Sequence, residues 1–303
     1  MARMIDGVWE GQWRPTDEDA DGAFVRKASV FRDELPAGPL EPGRFHLFVA
    51  WTCPWAHRTL LFRALKGLQD AIPVHFANTL TEQSWAFEDP SLSPHGDHHL
   101  YQLYLRADPR YTGRVTVPVL WDSQQQRIVN NESSEIIAML DRVPSDAPSL
   151  RPEALLPELE AWGERLYNAL NNGVYRAGFA TEQAPYDQAV RGVFETLDAV
   201  EQHLEGREYL VGDRLTEADL RLFVTTFRFD PAYVPFFRCN LRRISDYPNI
   251  QAHLERVYNT PGVAETCNLD AMRRGYGSVK QVNPTGIIPI GPPSLLGRGA
   301  IGA

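Results

Sequence analysis

Trp51-Thr52-Cys53-Pro54-Trp55-Ala56-His57-Arg58 follows directly on the apolar run Phe45-His46-Leu47-Phe48-Val49-Ala50. A short apolar run of this kind reads as a buried strand. Pro54 suits the first turn of a helix, where its missing N–H is no loss. Leu61, Ala64 and Leu65 then share one helical face, and Gly67 is a stop. The strand therefore hands over to a helix at Cys53. A thiol at that point faces the positive end of the helix dipole and unpaired backbone N–H groups, surroundings that favour a thiolate. Arg58, one turn on, adds to this. The spacing is that of a Cys-x-x-Cys redox motif whose second position is Ala56. Cys53 thus has no partner within the motif, and a thiol from solution is needed to resolve any disulfide it forms.

Working outward, Pro73-Val74-His75-Phe76-Ala77 reads as a second strand, which makes a parallel βαβ unit. The segment from Asn78 to Gly113 is loop-rich. Within it, His95, His98 and His99 are expected in a solvated polar loop and not in a metal site. Val117-Pro118-Val119-Leu120-Trp121 and Arg127-Ile128-Val129-Asn130 flank Asp122-Ser123 as a hairpin does. Ile136-Ile137-Ala138-Met139-Leu140 follows as a helix, with Ser133 or Ser134 as its N-cap. The order β-α-β, then β-β-α, is that of the thioredoxin architecture. Val143-Pro144-Ser145-Asp146-Ala147-Pro148 is a linker.

Beyond the linker the pattern is helical. Leu155 to Leu170 is amphipathic and stops at Asn171-Asn172-Gly173. Tyr186 to Leu204 stops near Gly206. Thr216 and Asp219 form a capping-box variant, and the helix after it ends near Asp230-Pro231. Ile250 to Tyr258 and Val263 to Met272 complete the set. The expected divisions are an extension over 1–43, a thioredoxin-like domain over 44–143, an all-helical domain over 150–272 and a Pro/Gly-rich tail over 273–303.

The chain has 303 residues, 43% hydrophobic and 23% charged, with a formal charge of −9. This is an ordinary globular composition, with length for two domains. No basic block suggests nucleic acid, and no run suggests a membrane span or a secretory leader. Cys53, Cys239 and Cys267 are odd in number and widely spaced, which fits a reducing cytoplasm better than a disulfide framework.

Several segments resemble the glutathionyl-hydroquinone reductases, the Xi class of the omega-like glutathione transferases. They include Cys-Pro-Trp-Ala-His-Arg-Thr at 53–59, Ala-Asp-Pro-Arg-Tyr-Thr-Gly-Arg-Val-Thr-Val-Pro-Val-Leu-Trp-Asp at 107–122 and Asn-Asn-Glu-Ser-Ser-Glu-Ile-Ile at 130–137. Asn-Asn-Gly-Val-Tyr-Arg-Ala-Gly-Phe-Ala at 171–180, Arg-Phe-Asp-Pro-Ala-Tyr-Val at 228–234 and Asn-Pro-Thr-Gly-Ile-Ile-Pro-Ile-Gly-Pro at 283–292 continue it. The resemblance implies a thioredoxin-like domain followed by an all-helical transferase domain, and reduction of S-glutathionyl-hydroquinones through a Cys53–glutathione mixed disulfide. It implies glutathione as co-substrate, no metal, and a homodimer.

The resemblance also implies site residues. Cys53 is the nucleophile. Pro118 is a cis-proline beside the cysteinyl part of glutathione. Glu132 and Ser133 hold the γ-glutamyl end, Arg114 and Val115 the glycyl end, and Trp85 lies against the tripeptide. Tyr175 and Tyr276 reach over the quinol. Two departures from the family pattern stand out: Ser84 replaces the usual glycine before Trp85, and Gly275 and Gly277 leave Tyr276 as the single aromatic there. Trp55 and Phe179 are further candidates for an aromatic wall. An omega-like thioltransferase or dehydroascorbate reductase and a non-catalytic ligand-binding protein are the alternatives.

Overall fold

The computed structural model describes residues 3–10, 24, 28–81 and 84–292, which divide into two compact units. The first holds residues 27–148 with the N-terminal hairpin and residues 266–271; the second holds residues 149–265 and the chain from 272 onward.

In the first unit, β1 (Arg3–Ile5) and β2 (Val8–Glu10) form a hairpin. The central layer begins with β3 (Phe45–Val49), followed by α1 (Pro54–Leu65) and β4 (Val74–Phe76). Next come the ribbon β5 (Thr79–Thr81) and β6 (Ser84–Ala86), then α2 (Leu100–Ala107) and β7 (Gly113–Arg114). The hairpin β8 (Val119–Asp122) and β9 (Arg127–Asn130) leads into α3 (Ser133–Arg142). The sheet order is β4-β3-β8-β9. Strand β3 is parallel to β4, with Leu47 opposite Val74, and antiparallel to β8, with Phe48 opposite Val119. The apolar run of β3 follows from this central place, since both its faces are covered. Helix α1 packs on α3 and is buried from Pro54 to Phe62.

Three features of this unit differ from the sequence reading. The extension is not wholly irregular: its hairpin adds to β7, with Met4 opposite Gly113. Such long-range pairing leaves no local period. The segment 78–113 is not only loop, because Leu100, Leu103 and Tyr104 bury one face of α2. The histidines are not all solvated: the His95 ring sits edge-on to buried Trp121, 5.7 Å between centroids, and the His99 ring stacks on Tyr101. Gln102 Oε1 accepts from the N–H groups of His98 and His99, which starts α2 at the third histidine.

A strap, residues 29–35, runs along the outer edge of β9. Asp33 N–H donates to Val129 O at 2.9 Å and Asn131 N–H to Phe31 O at 3.1 Å. Arg32 pairs with Glu135, Arg127 with Asp33 and Arg142 with Glu34. An edge strand that would otherwise present unpaired backbone is thereby closed.

The second unit is helical among the described residues. It contains α4 (Leu156–Arg165), α5 (Gly173–Phe179), α6 (Gln183–His203), α7 (Glu217–Arg228), α8 (Val234–Phe237) and α9 (Pro248–Tyr258). The final helix α10 (Leu269–Gly277) begins on residues of the first unit. Two expected stops are instead π-helical widenings that the chain passes through. One spans Leu166–Asn171 and joins α4 to α5. There the Asn171 side chain donates to Arg221 O at 2.9 Å and Thr225 Oγ1 at 2.7 Å, and a Cβ on Gly173 would lie 3.0 Å from Val193. Asparagine and glycine serve helix contact here, not termination. The other spans Phe229–Tyr233, where the wider turn absorbs the missing N–H of Pro231. The Asp230 carboxylate accepts from Ile244 N–H at 2.7 Å.

At the start of α7, Asp219 closes the expected capping box. Oδ2 accepts from Thr216 N–H at 2.9 Å and Thr216 Oγ1 at 3.0 Å, while Oδ1 accepts from Leu210 N–H at 2.8 Å. His253 Nε2 lies 3.0 Å from the same Oδ1, and both side chains are fully buried. No helix among the described residues is long and apolar enough to cross a membrane.

Candidate active site

Cys53 is the N-cap of α1, in an extended backbone conformation with Pro54 at the first helical position. Its Sγ accepts from Ala56 N–H at 3.4 Å and donates to Val117 O at 3.4 Å. The first bond is the one a thiolate strengthens, because N–H groups at a helix start favour negative charge. Val117 precedes Pro118, and the bond between them is cis. The thiol of one loop and the cis-proline of another thus meet at one sheet end. Arg58 is buried, its guanidinium 4.5 Å from the Trp55 ring centroid.

The other thiols differ. Burial pushes the Cys239 thiol up to about 12, and its Sγ donates to Phe237 O at 3.8 Å. Cys267 lies 3.8 Å from His57 Nε2, which also meets Thr266 Oγ1 at 3.0 Å. All three cysteines are unbridged. With its thiol raised, Cys239 carries almost no thiolate at any pH well below about 12. Iodoacetamide at pH 8 is therefore expected to label Cys53 and leave Cys239 unmodified in the folded protein. Peptide mass mapping checks this; equal labelling of both would contradict it.

The segments around Pro118 are held by two tyrosines. Tyr104 Oη donates to Thr116 O at 2.8 Å and accepts from Thr116 N–H at 3.2 Å and Asn131 Nδ2 at 3.2 Å. Tyr111 Oη donates to Arg114 O at 2.7 Å. These bonds fix residues 114–118 and the start of α3 to each other. Arg114 lies on β7 opposite Arg3, and Val115 is buried.

The N-cap of α3 is Glu132, which corrects the expectation of Ser133 or Ser134. Its backbone is extended, and its carboxylate is long enough to fold back, Oε1 accepting from Ser134 N–H at 3.2 Å and Ser134 Oγ at 3.0 Å. Ser133 is the first helical residue and is buried. A helix N-terminus bearing a hydroxyl suits a carboxylate, and an adjacent Glu suits an ammonium. Together they suit a ligand group that carries both a carboxylate and an ammonium, and the cap and cis-proline lie in the same unit as the thiol.

Trp85 is on β6, half-buried, opposite Leu80 in the ribbon. Ser84 before it has φ +99°, an angle that favours glycine, and it is buried. The backbone thus takes the glycine conformation even where glycine is absent.

In the second unit the structure brings Tyr175 and Tyr276 together, Oη to Oη 2.8 Å. It adds a residue the sequence reading did not single out: Tyr233, 3.0 Å from Tyr276 Oη. Its signal was present in the Arg-Phe-Asp-Pro-Ala-Tyr-Val segment, but nothing local marks a contact across 43 residues. Phe179 and Phe237 pack against the Tyr175 ring. Burial, and then the two neighbouring phenols, raise Tyr276 well above the ordinary phenol range, so it stays protonated near neutral pH. The two links of this trio use two of its three hydroxyl protons. The third is directed outside it. Gly277 makes room for the tail: a Cβ there would come 2.8 Å from Ile288 Cγ1.

Two family models match the chain: the glutathione S-transferase N-terminal domain over residues 52–143 and the glutathione S-transferase C-terminal domain over residues 183–256. The chain is 50% identical over 303 residues to the glutathionyl-hydroquinone reductase PcpF of Sphingobium chlorophenolicum, with 96% of each covered. It is similar to the crystal structure of the glutathione-S-transferase Xi from Phanerochaete chrysosporium, at 43% identity and TM-score 0.87, covering 92% of this chain and 96% of that one. It is also similar to the glutathione-bound structure of YqjG, a glutathione transferase homolog from Escherichia coli K-12, at 45% identity and TM-score 0.82, covering 96% and 95%.

Proposed function

The chain belongs to the glutathione S-transferase family, in its Xi-class branch of glutathionyl-hydroquinone reductases, and from that premise we propose that it reduces S-glutathionyl-hydroquinones to hydroquinones with glutathione as co-substrate. The observation that carries this reading is Cys53 at the N-cap of α1, beside cis-Pro118, with alanine where a resolving cysteine would stand.

The Cys53 thiolate attacks the thioether sulfur of the substrate. The S–S bond to glutathione forms as the sulfur–ring carbon bond breaks, and the ring carbon takes a proton. A second glutathione then attacks the mixed disulfide, releasing glutathione disulfide and restoring the Cys53 thiolate. Electrons balance: one glutathione thiol and the thioether sulfur of the substrate become the two sulfurs of one disulfide, losing one electron each, and the aryl carbon gains both electrons and a proton. Arg114 and Val115 take the glycyl end of the tripeptide, Glu132 and Ser133 the γ-glutamyl end, Pro118 the cysteinyl part, and Trp85 stacks on it. Tyr175 and Tyr276 hydrogen-bond the quinol oxygens and supply the proton. Activity in a reducing cytoplasm, as a homodimer, completes the reading; the unbridged cysteines support the compartment.

The test is intact-protein mass spectrometry after one turnover with glutathionyl-menadiol and no free glutathione. An adduct of a single glutathione on Cys53 is expected; an aryl adduct would overturn the mechanism. Tyr276→Phe is expected to lower kcat for glutathionyl-menadiol about a hundredfold, the usual weight of a general acid. Its turnover of a simple glutathione mixed disulfide, which releases no ring carbon, is expected to stay near wild type. Equal losses on both substrates would remove the proton-donor role.

A further inference from the structure

The strap does more than close the edge of β9. Ser29 Oγ lies 3.2 Å from Glu132 Oε2 and 3.2 Å from Asn131 O. Phe31 is clamped by its backbone to Asn131, through Asn131 N–H to Phe31 O at 3.1 Å and Phe31 N–H to Asn131 Oδ1 at 3.2 Å. Its ring stacks on Tyr111 at 5.6 Å between centroids and stands edge-on to Tyr104 at 5.8 Å. Those are the two tyrosines whose hydroxyls hold the backbone of Arg114 and Thr116. The strap therefore touches both the segment assigned to the glycyl end and the segment assigned to the γ-glutamyl end.

We propose, resting on the glutathione reading above, that residues 29–31 are part of the glutathione site, with Ser29 as a positioning residue that fixes the Glu132 carboxylate for the ligand's γ-glutamyl ammonium. The carboxylate has two tasks. Oε1 is committed to the cap of α3 through Ser134. Oε2 is the oxygen left to receive a ligand cation, and the Ser29 hydroxyl, 3.2 Å away, donates to it. A carboxylate held at one oxygen only can rotate about that bond. Held at both, it presents its remaining lone pairs in one direction. The strap stays in place through Arg32–Glu135 and Arg127–Asp33, and the Arg32 guanidinium also feels the nearby charge of Glu132.

The role is one of binding and not of chemistry, so it separates KM from kcat. Ser29→Ala is expected to raise the KM for glutathione about fivefold, the scale of the net contribution of one ordinary hydrogen bond, with kcat little changed. Ser29→Thr, which keeps the hydroxyl, is expected to restore it. Titration calorimetry with S-methylglutathione reads the same effect without turnover. Binding by wild type and Ser29→Thr, with about fivefold weaker binding by Ser29→Ala at an unchanged melting temperature, supports the inference. Wild-type affinity in Ser29→Ala overturns it while leaving the glutathione reading intact. Weakening in both variants together with a lowered melting temperature also overturns it, by showing a purely structural strap. Failure of the wild type to bind S-methylglutathione overturns the glutathione reading itself.

Discussion

Cys53→Ser is expected to abolish reduction of glutathionyl-hydroquinones, with kcat/KM falling by roughly a thousandfold or more, since a hydroxyl at ordinary pKa is a far poorer nucleophile than a thiolate. Serine is the informative replacement. Cys53 caps α1 through its side chain, accepting from Ala56 N–H. Serine is among the preferred N-cap residues, so the helix start is kept while the sulfur is lost. The variant is expected to melt within a few degrees of wild type, about 1 kcal/mol being the scale of a cap change. Cys239→Ala is the control, because that thiol is buried in the second unit. It is expected to keep its activity. Steady-state assay of both variants decides the matter: retained turnover in Cys53→Ser would sink the nucleophile assignment, however the fold behaves.

The second large effect is on stability. Asp219→Ala is expected to cost about 3–5 kcal/mol, the range for removing one partner from a buried charged network. One carboxylate accepts from Leu210 N–H, Thr216 N–H and Thr216 Oγ1 and meets His253 Nε2, with no solvent to replace any of them. Alanine leaves all of these partners buried and unanswered. At the scale of a chain this long the melting temperature should fall by about 5–8 °C. Asp219→Asn keeps one acceptor oxygen and the shape of the side chain, so its loss should be clearly smaller. Thermal unfolding followed by circular dichroism tests both; an alanine variant that melts with wild type would show the capping box to be dispensable.

What the sequence made legible was whatever is encoded locally. The run Phe45 to Ala50 marks β3 because a central strand is apolar on both faces. Pro54 marks the start of α1, and the alternation around Asp122-Ser123 marks the β8–β9 hairpin. Cys53 was readable for the same reason: its N-cap bond spans only three residues. The missed features share the opposite property. The β1–β2 hairpin finds its partner strand more than a hundred residues on, and Tyr233 finds Tyr276 across 43. Helix α2 was hidden by flanking histidines and glycine, although Leu100, Leu103 and Tyr104 carry its period. The false stops at Asn171-Asn172-Gly173 and Asp230-Pro231 show breaker residues in a second role. A π-helical turn lets Pro231 stay in line, and Gly173 admits a neighbouring helix. At α3 the N-cap fell one residue early because a Glu side chain can reach back where a Ser was expected to.

Ser84, held at φ +99° inside the ribbon, carries a conformational penalty on the order of 1 kcal/mol that glycine would not. In evolutionary terms that makes position 84 a reserve. A lineage with glycine there would gain stability without altering any group assigned to chemistry. Folded proteins sit close to their stability threshold, so such a gain could offset a destabilising change elsewhere. Tyr175 and Tyr276, proposed above to meet the quinol, are where such a change would be felt.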